Sequence, residues 1–546
     1  MKRKAVAAVL TAVMVASMFT GCGSDNGSSS AKSASAASAA SAANDTVDED
    51  GKVNGIMYQE GLPLVDEGAY TFSIFCDDSS ESGEFIMLDE FKKQTNVDVD
   101  LKIYPYETAT ERLNLDLNSG DYADVIGGWT LSDNAILTYG VNQGVFIPLE
   151  DYFEKYCPNI SAILDLPGVR EKMTAPDGHI YTIPYVCADS TVGYSPYINT
   201  KWLENVGMSM PTTTDEFEAV LKAFKEQDAN GNGDASDEIP FSTDPNNKHI
   251  EAMAGYFGLP MNKLGIAIQN EKVVYGGVSD TYREFLSWFH KLYAEGLVDV
   301  ELYTQDSSTW EGKGNQDLYG VSIAYGSNEF TGIPAAEERG DFDSMPVLNT
   351  DKDGIWLRDT EGFSVYRTQA VITNKAEHPE IICRWFDNAF ALENGIGCNR
   401  GPVGVIVNKE DDGYHAIDTT TLSEEDQEKY SWGNLWPQSL PKYLPVDFEF
   451  VEEHPMYDEK KATEEAYEAN LTKEIIPSYW IDLDKIDTFS DTNTAIKDFF
   501  EQQQAQFVCG ELDIDNDADW QAYVDGMYSL GLEDWVATQG IEEIAK

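Results

Sequence analysis

Between residues 69 and 129 the apolar positions switch repeatedly between a period of two and a period near 3.6. Tyr70, Phe72 and Ile74 alternate with small or polar residues and predict a strand over 69–75. Phe85, Leu88 and Phe91 recur at helical spacing and predict a helix over 84–94. Val97, Val99, Leu101 and Ile103 alternate again, predicting a strand over 97–104. A helix over 108–118 follows, ended by Gly120, and then a short apolar strand over 123–129. Strand, helix, strand, helix, strand is the pattern of a parallel sheet covered by helices. Ligands of such sheets bind beyond the carboxyl ends of the strands, so the loops after Phe75 and Ile126 are the first places to look.

The rhythm continues downstream. A helix is predicted over 148–156, a strand over 179–186 after the Asp177-Gly178 turn, extended chain over 191–198 and a helical run from Asn199 to Val206. Thr214 is the expected cap of a helix whose apolar face is Phe217, Val220, Leu221 and Phe224, with Asp215 and Glu216 in its first turn. Phe285, Phe289 and Leu292 mark a helix over 281–295 ended by Gly296. Amphipathic helices are predicted over 494–508 and 518–530, and no internal repeat is visible.

The N-terminus follows a different logic. Met1-Lys2-Arg3-Lys4 is basic, 5–19 is apolar, and Thr20-Gly21-Cys22 follows. This is the layout of a secretory signal peptide, and the apolar run is short for a membrane span. Met18-Phe19-Thr20-Gly21-Cys22 resembles the bacterial lipobox, which implies that Cys22 becomes a lipid-modified first residue. Residues 23–43 are almost entirely Ser, Ala and Gly, which cannot bury enough apolar surface to fold. Residues 1–22 are therefore expected to be an address and 23–56 a tether.

The remainder has a globular composition, 42% hydrophobic and 12% aromatic over the whole chain, and a length that suggests two or three domains. A formal charge of −59 would be repelled by phosphate backbones, which argues against nucleic-acid binding. Beyond Cys22 stand Cys76, Cys157, Cys187, Cys383, Cys398 and Cys509, far apart and without a CxxC. Buried small side chains are their expected use, although an even number outside the cell permits disulfides.

Several phrases together resemble the extracellular solute-binding lipoproteins of bacterial ABC importers, in the carbohydrate-binding branch. Leu113 to Ile126 is similar to that family's helix, Ser-Gly-Asp turn and Asp-Val strand. Phe146-Ile147-Pro148-Leu149 with Tyr152 to Asn159, and Asp177-Gly178-His179-Ile180-Tyr181-Thr182-Ile183-Pro184-Tyr185, are similar to two further motifs. The most specific run is Ile198-Asn199-Thr200-Lys201-Trp202-Leu203, then Gly207, then Pro211 to Phe217; Trp520, Tyr523, Gly531 and Leu532 fit the same branch. The resemblance implies an α/β, periplasmic-binding-protein-like fold: two α/β lobes, a ligand cleft and a hinge crossed more than once. Carried onto this chain, it implies one lobe from 57–187 and 369–440 and another from 188–368 and 441–546. Crossings are expected near 186–191, near 363–370 and after about Gly413. It also implies a monomer that binds a carbohydrate, meets the membrane only through its lipid anchor and delivers the ligand to a permease.

Asp228, Asn230, Asn232 and Asp234, with Gly233 at the sixth position, match the front of a calcium loop, in which alternating oxygens turn inward and glycine permits the bend. The twelfth position is Ile239, so Asp237 and Glu238 are the nearest acids for the back of the site. Calcium in a structural role is the expectation, and related binding proteins carry a similar loop after this helix.

A sugar site needs aromatic platforms with planar polar partners. Asp77, Asp78 and Ser79 follow the first predicted strand and Trp129 the third. Asp189 lies at the expected hinge, and Tyr325-Gly326-Ser327-Asn328-Glu329 follows a later strand. Trp356 with Arg358, and Trp432 with Asn434 and Trp436, are aromatic and polar together in loop-like contexts. Trp288, Trp385 and Trp520 lie on helical faces and read as core. A peptide or another solute is the alternative ligand. A secreted glycoside hydrolase would need two placed acids, which 96 Asp and Glu always supply by number alone. There is no GxSxG, HExxH, P-loop or strand-associated GxGxxG, and the six His show no metal spacing. A repeated β-module adhesin does not fit the βαβ layout.

Overall fold

The alternating segment near residue 70 becomes the strand Tyr70–Asp77, whose later residues are buried on both faces. A computed structural model describes residues 45–78, 84–244, 249–332, 340–417, 419–451 and 455–545. The signal peptide, Cys22, most of the tether and Ser79 lie outside the described residues. In the first lobe, Tyr70–Asp77 pairs in parallel with Val97–Tyr104 along its whole length and with Val125–Gly127 near its carboxyl end. Phe363–Ile372 and Thr182–Ala188 complete a five-stranded sheet; Phe363–Ile372 runs antiparallel to both its neighbours. Period-two chemistry explains the two cores this sheet divides. Phe72 and Ile74 join Phe91, Trp385 and Trp436 on one side, while Phe75 and Ile126 join Leu113, Leu117 and Val371 on the other.

The helices between these strands are Ile86–Thr95 and Tyr106–Ser119. The second ends where predicted, because Gly120 takes the left-handed conformation at φ 75° and returns its N–H to the last turn. Thr182–Ala188 begins three residues later than the spacing suggested.

The second lobe is built on a four-stranded sheet, ordered Phe342–Ser344, Ser195–Asn199, Tyr319–Ala324, Ile239–Thr243. Tyr319–Ala324 is parallel to Ile239–Thr243 and antiparallel to Ser195–Asn199. Its core gathers Phe217, Val220, Leu221 and Phe224 of helix Thr214–Glu226, Phe285, Phe289 and Leu292 of helix Asp280–Ala294, and Tyr523 and Met527 of helix Asp517–Ser529. The Asn199 side chain accepts the Trp202 N–H and caps helix Thr200–Val206. One expectation shifts by a residue: Thr213, not Thr214, caps the following helix. Thr213 is extended at φ −130° and its hydroxyl accepts the Glu216 N–H, whereas Thr214 is already helical.

The chain crosses between lobes more often than the sequence suggested. Residues 189–194 join the two sheets, and Phe363–Ile372 brings the chain back. Tyr443 bridges Val186, so the first lobe extends past residue 440. Helix Pro455–Tyr467 then packs on the second lobe, where the Tyr467 hydroxyl donates to Met345 O at 2.7 Å. Residues 477–486 return to the first lobe: Trp480 Nε1 donates to Lys172 O, and Ile481 and Ile486 pack on Leu137. Helix Ile486–Cys509 ends the excursion against Asp280–Ala294. The tether is also shorter than expected. Val53 and Met57 are buried in the first lobe's core, and Asp45 accepts the Tyr156 hydroxyl at 2.8 Å.

Cys76, Cys157, Cys383 and Cys398 are buried, Cys187 is half-buried and Cys509 exposed, and all six are free. Trp385 is fully buried with Phe72, Phe91 and Phe386 edge-on and Trp436 stacked at 5.7 Å. Trp385→Ala is expected to cost about 3–5 kcal/mol by urea unfolding, because so large a void cannot collapse around stacked rings.

Candidate ligand-binding cleft

The carboxyl ends of the first lobe's parallel strands hold an aromatic wall. Trp129 lies one residue beyond Val125–Gly127, after Gly128, and is 47% exposed. Tyr366 meets it edge-on at 5.3 Å, and Tyr185 stacks on Tyr366 at 5.3 Å. The three rings come from three different strands or strand ends. Both Trp129 and Thr130 donate their N–H groups to the Asp77 carboxylate, at 3.0 and 2.7 Å. Asp77 is buried, with its carboxyl pushed upward by desolvation and pulled back by these bonds. It aims Trp129 and is not itself open to a ligand.

Across the hinge stands a second aromatic group. Tyr194 stacks on His249 at 4.0 Å and meets Tyr325 edge-on at 6.2 Å. Burial lowers the His249 pKa to about 4, so its ring is neutral. Tyr325 follows the strand Tyr319–Ala324 and donates its hydroxyl to Asp189 Oδ1 at 2.9 Å; Ser364 donates to the other oxygen. Lys460, from helix Pro455–Tyr467, lies 3.9 Å over the Tyr325 ring and donates to the carbonyls of Tyr325 and Gly193. Glu329 accepts the Tyr325 N–H, and burial pushes its carboxyl upward. Asn328 sits beside Gly326 in the same turn. Asp189 thus works between the lobes, tying Tyr325 of one to Ser364 of the other.

Residues 78–395 match the model of the family described as bacterial extracellular solute-binding protein. The chain belongs to that family. It is 31% identical over 411 residues, covering 73% of this chain and 70% of the relative, to the fructooligosaccharide ABC transporter substrate-binding protein FusA of Streptococcus pneumoniae serotype 4. Its fold matches the solved structure of the S. pneumoniae FusA in complex with kestose, with a TM-score of 0.75, 27% identity and coverage of 86% of this chain and 98% of that one. An EF-hand mutant of FusA in complex with fructo-nystose matches with a TM-score of 0.73, at the same identity and coverage.

Two of the solute-binding protein's expected platforms are corrected by burial. Trp436 is fully buried, stacked on Trp385 and tilted against Phe91, with Nε1 donating to Leu440 O. Trp356 is 1% exposed in the second lobe's core, against Tyr256 and Tyr467. Neither offers a ring face to a ligand. Arg358 is spent on Thr472 O and Glu468. Trp432, by contrast, is 57% exposed, and its neighbour Asn434 is tied to Glu428 O. Asp78 is buried and accepts the Gln438 N–H at 2.7 Å. Tyr185 and Tyr366 escaped the sequence reading. Both stand inside strands, and a tyrosine within a strand reads equally well as core.

A cavity of about 480 Å³ is lined by Asp133, Arg358, Asp359, Arg367, Tyr479 and Asn493 among others. Arg367 pairs with Asp133 through both its Nε and one terminal nitrogen, and donates to Tyr479 O. It follows Tyr366 and so leaves the opposite face of its strand.

Asp359 lies at the hinge, is exposed to solvent and accepts the Gly193 N–H at 2.7 Å.

Proposed function

We propose that the protein is a lipid-anchored binding protein that captures an oligosaccharide outside the membrane and hands it, unaltered, to the permease of an ABC importer. The observation that carries this reading is the wall of Trp129, Tyr366 and Tyr185 at the strand ends, faced by Tyr194 and Tyr325 across the hinge. Rings so placed match the apolar faces of sugar units, and the nearby Asn328 and Glu329 side chains match their hydroxyls. The kinship with FusA, whose solved complexes hold kestose and fructo-nystose, supports the same class of ligand. In this reading Cys22 carries the lipid, residues 23–44 are the leash, and the chain acts as a monomer. The lobes are 57–187 with 369–440, and 188–368 with 441–546, amended by Phe363–Ile372, Tyr443 and 477–486, which lie with the first. The ligand-facing set is Trp129, Tyr185, Tyr366, Tyr194, Tyr325, Asn328, Glu329 and Trp432.

A thermal-shift screen of the mature chain against kestose, other oligosaccharides and peptide controls, with chromatography of the recovered sugar, tests this directly. Stabilisation by an oligosaccharide recovered intact is the expected result; breakdown of the sugar, or stabilisation by peptides only, contradicts it. Trp129→Ala is expected to weaken kestose binding by about 1–3 kcal/mol in calorimetry, the worth of a lost stacking ring.

We also propose that Asp228, Asn230, Asn232, Asp234, Asp237 and Glu238 hold a structural calcium ion. The supporting observation is that Asp228 Oδ1 and Glu238 Oε2 are buried without any hydrogen-bond partner. The loop is otherwise wound by its own bonds: Gly233 N–H to Asp228, Asp234 N–H to Asn232, and the Asn230 and Asn232 amides to Asp237. A hard cation would satisfy both orphaned carboxylate oxygens at once. Chelation is expected to lower the melting temperature by several degrees, with recovery on adding calcium, and Asp228→Asn to abolish the difference. A melting temperature indifferent to chelation would leave the loop a plain turn.

A further inference from the structure

Residues 436–443 run across the carboxyl edge of the first lobe's sheet, touching strand after strand. Gln438 N–H donates to Asp78, Ser439 Oγ to Asp77 O, and Gln369 to Ser439 O. Leu440 packs on Gly127, and Tyr443 bridges Val186. The segment is therefore a floor across the strand ends, and it also meets the exposed Trp432. Gln438 makes that contact, since its amide donates to the carbonyls of Trp432 and Trp436.

Lys442 lies within this floor and is 2% exposed. Its Nζ donates to Gln438 Oε1 at 2.5 Å and stands 5.2 Å from the centre of the Trp432 ring. Among the described residues no carboxylate forms an ion pair with it. A buried ammonium normally requires one, so an amide oxygen and an indole face are an unusual pair of partners. The charged or titratable groups that face it are Asp78, Cys187, Cys398 and Arg400.

We infer that Lys442 is a positioning residue, whose charge holds Trp432 as the outer stacking platform of the cleft. This rests on the oligosaccharide-binding reading. Burial lowers the Lys442 pKa to about 8, so the charge on which the contact depends fades as pH rises through that value. Stability moves the other way. A lysine depressed in the folded state contributes stability that grows as pH rises from about 8 toward its ordinary 10.5. Affinity falling while stability does not is a signature that partial unfolding cannot imitate.

The test has two arms. Without ligand, the fluorescence of Trp432, taken as wild type minus Trp432→Phe, is followed from pH 6.5 to 9.5, a window chosen to straddle the lysine's value of about 8. It is expected to shift through that value and to stay flat in Lys442→Met. With kestose as probe, Lys442→Met is expected to raise Kd by about fivefold to thirtyfold, the worth of a partly to fully desolvated cation–π contact. Adding Trp432→Ala to Lys442→Met should weaken binding by much less than Trp432→Ala weakens the wild type, and Lys442→Arg should restore part of the affinity. Fluorescence flat in the wild type, or Kd unchanged in a folded Lys442→Met, overturns the inference. If kestose fails to bind the wild type, the ligand assignment fails and the fluorescence arm alone decides the role of Lys442.

Discussion

The carboxylate of Asp77 is the interaction that aims Trp129 in the first lobe's wall of rings. It ends the strand Tyr70–Asp77, is buried, and accepts the N–H groups of Trp129 and Thr130 from the neighbouring strand's end. Without it two backbone donors would be stranded beside a sheet edge, and Trp129 would have no fixed direction. The geometry leaves no room for error. Gly128 stands at φ 138°, and a Cβ there would fall 2.3 Å from Asp77 Oδ1. The floor formed by residues 436–443 is seated on the same strand end, because Ser439 donates to the Asp77 carbonyl. Asp77 therefore meets Trp129 through its carboxylate and the floor through its carbonyl.

The hinge is held by different chemistry. Each lobe has its own apolar core, and polar bonds join them: Tyr325 and Ser364 through Asp189, Ser190 and Thr191 through Glu464, Gly193 through Asp359 and Lys460. Cores resist deformation and polar contacts can be exchanged, so motion between lobes is concentrated where the chain crosses. The crossings carry Tyr194, and Tyr325 is bonded to one of them. The rings of the second aromatic group are therefore tied to the segments where the chain crosses. The Arg367–Asp133 pair holds the returning 477–486 segment on the first lobe, since Arg367 also donates to Tyr479 O.

Much of this was legible in local pattern. Tyr70, Phe72 and Ile74 lie on one face as their spacing required, and Gly120 ended its helix. Trp385 sits in the core, as its helical face implied. The placement of Trp129 followed from its position just beyond a parallel strand. The failures share one cause. Trp356 and Trp436 were judged by loop-like sequence, yet one lies under Tyr256 and Tyr467 and the other against Trp385. Whether a tryptophan between polar residues is a platform or a plug depends on what arrives from elsewhere in the chain. Residues 477–486 went unassigned to the first lobe for the same reason, because nothing in an apolar pair such as Ile481 and Ile486 names its partner Leu137.

The sequence by itself determined the elements, the α/β class, the family and the oxygen-rich loop at 228–238, because hydrophobic period, capping and ligand spacing act over a few residues and are written locally. Only the tertiary structure decided which rings stand together and which are buried, that Lys442 is buried beside Trp432, and that the chain returns to the first lobe near Trp480. Those depend on contacts between residues far apart in the chain, from Asp78 with Gln438 to Lys172 with Trp480, and burial at such a contact is a property of the pair and not of either residue's surroundings in sequence.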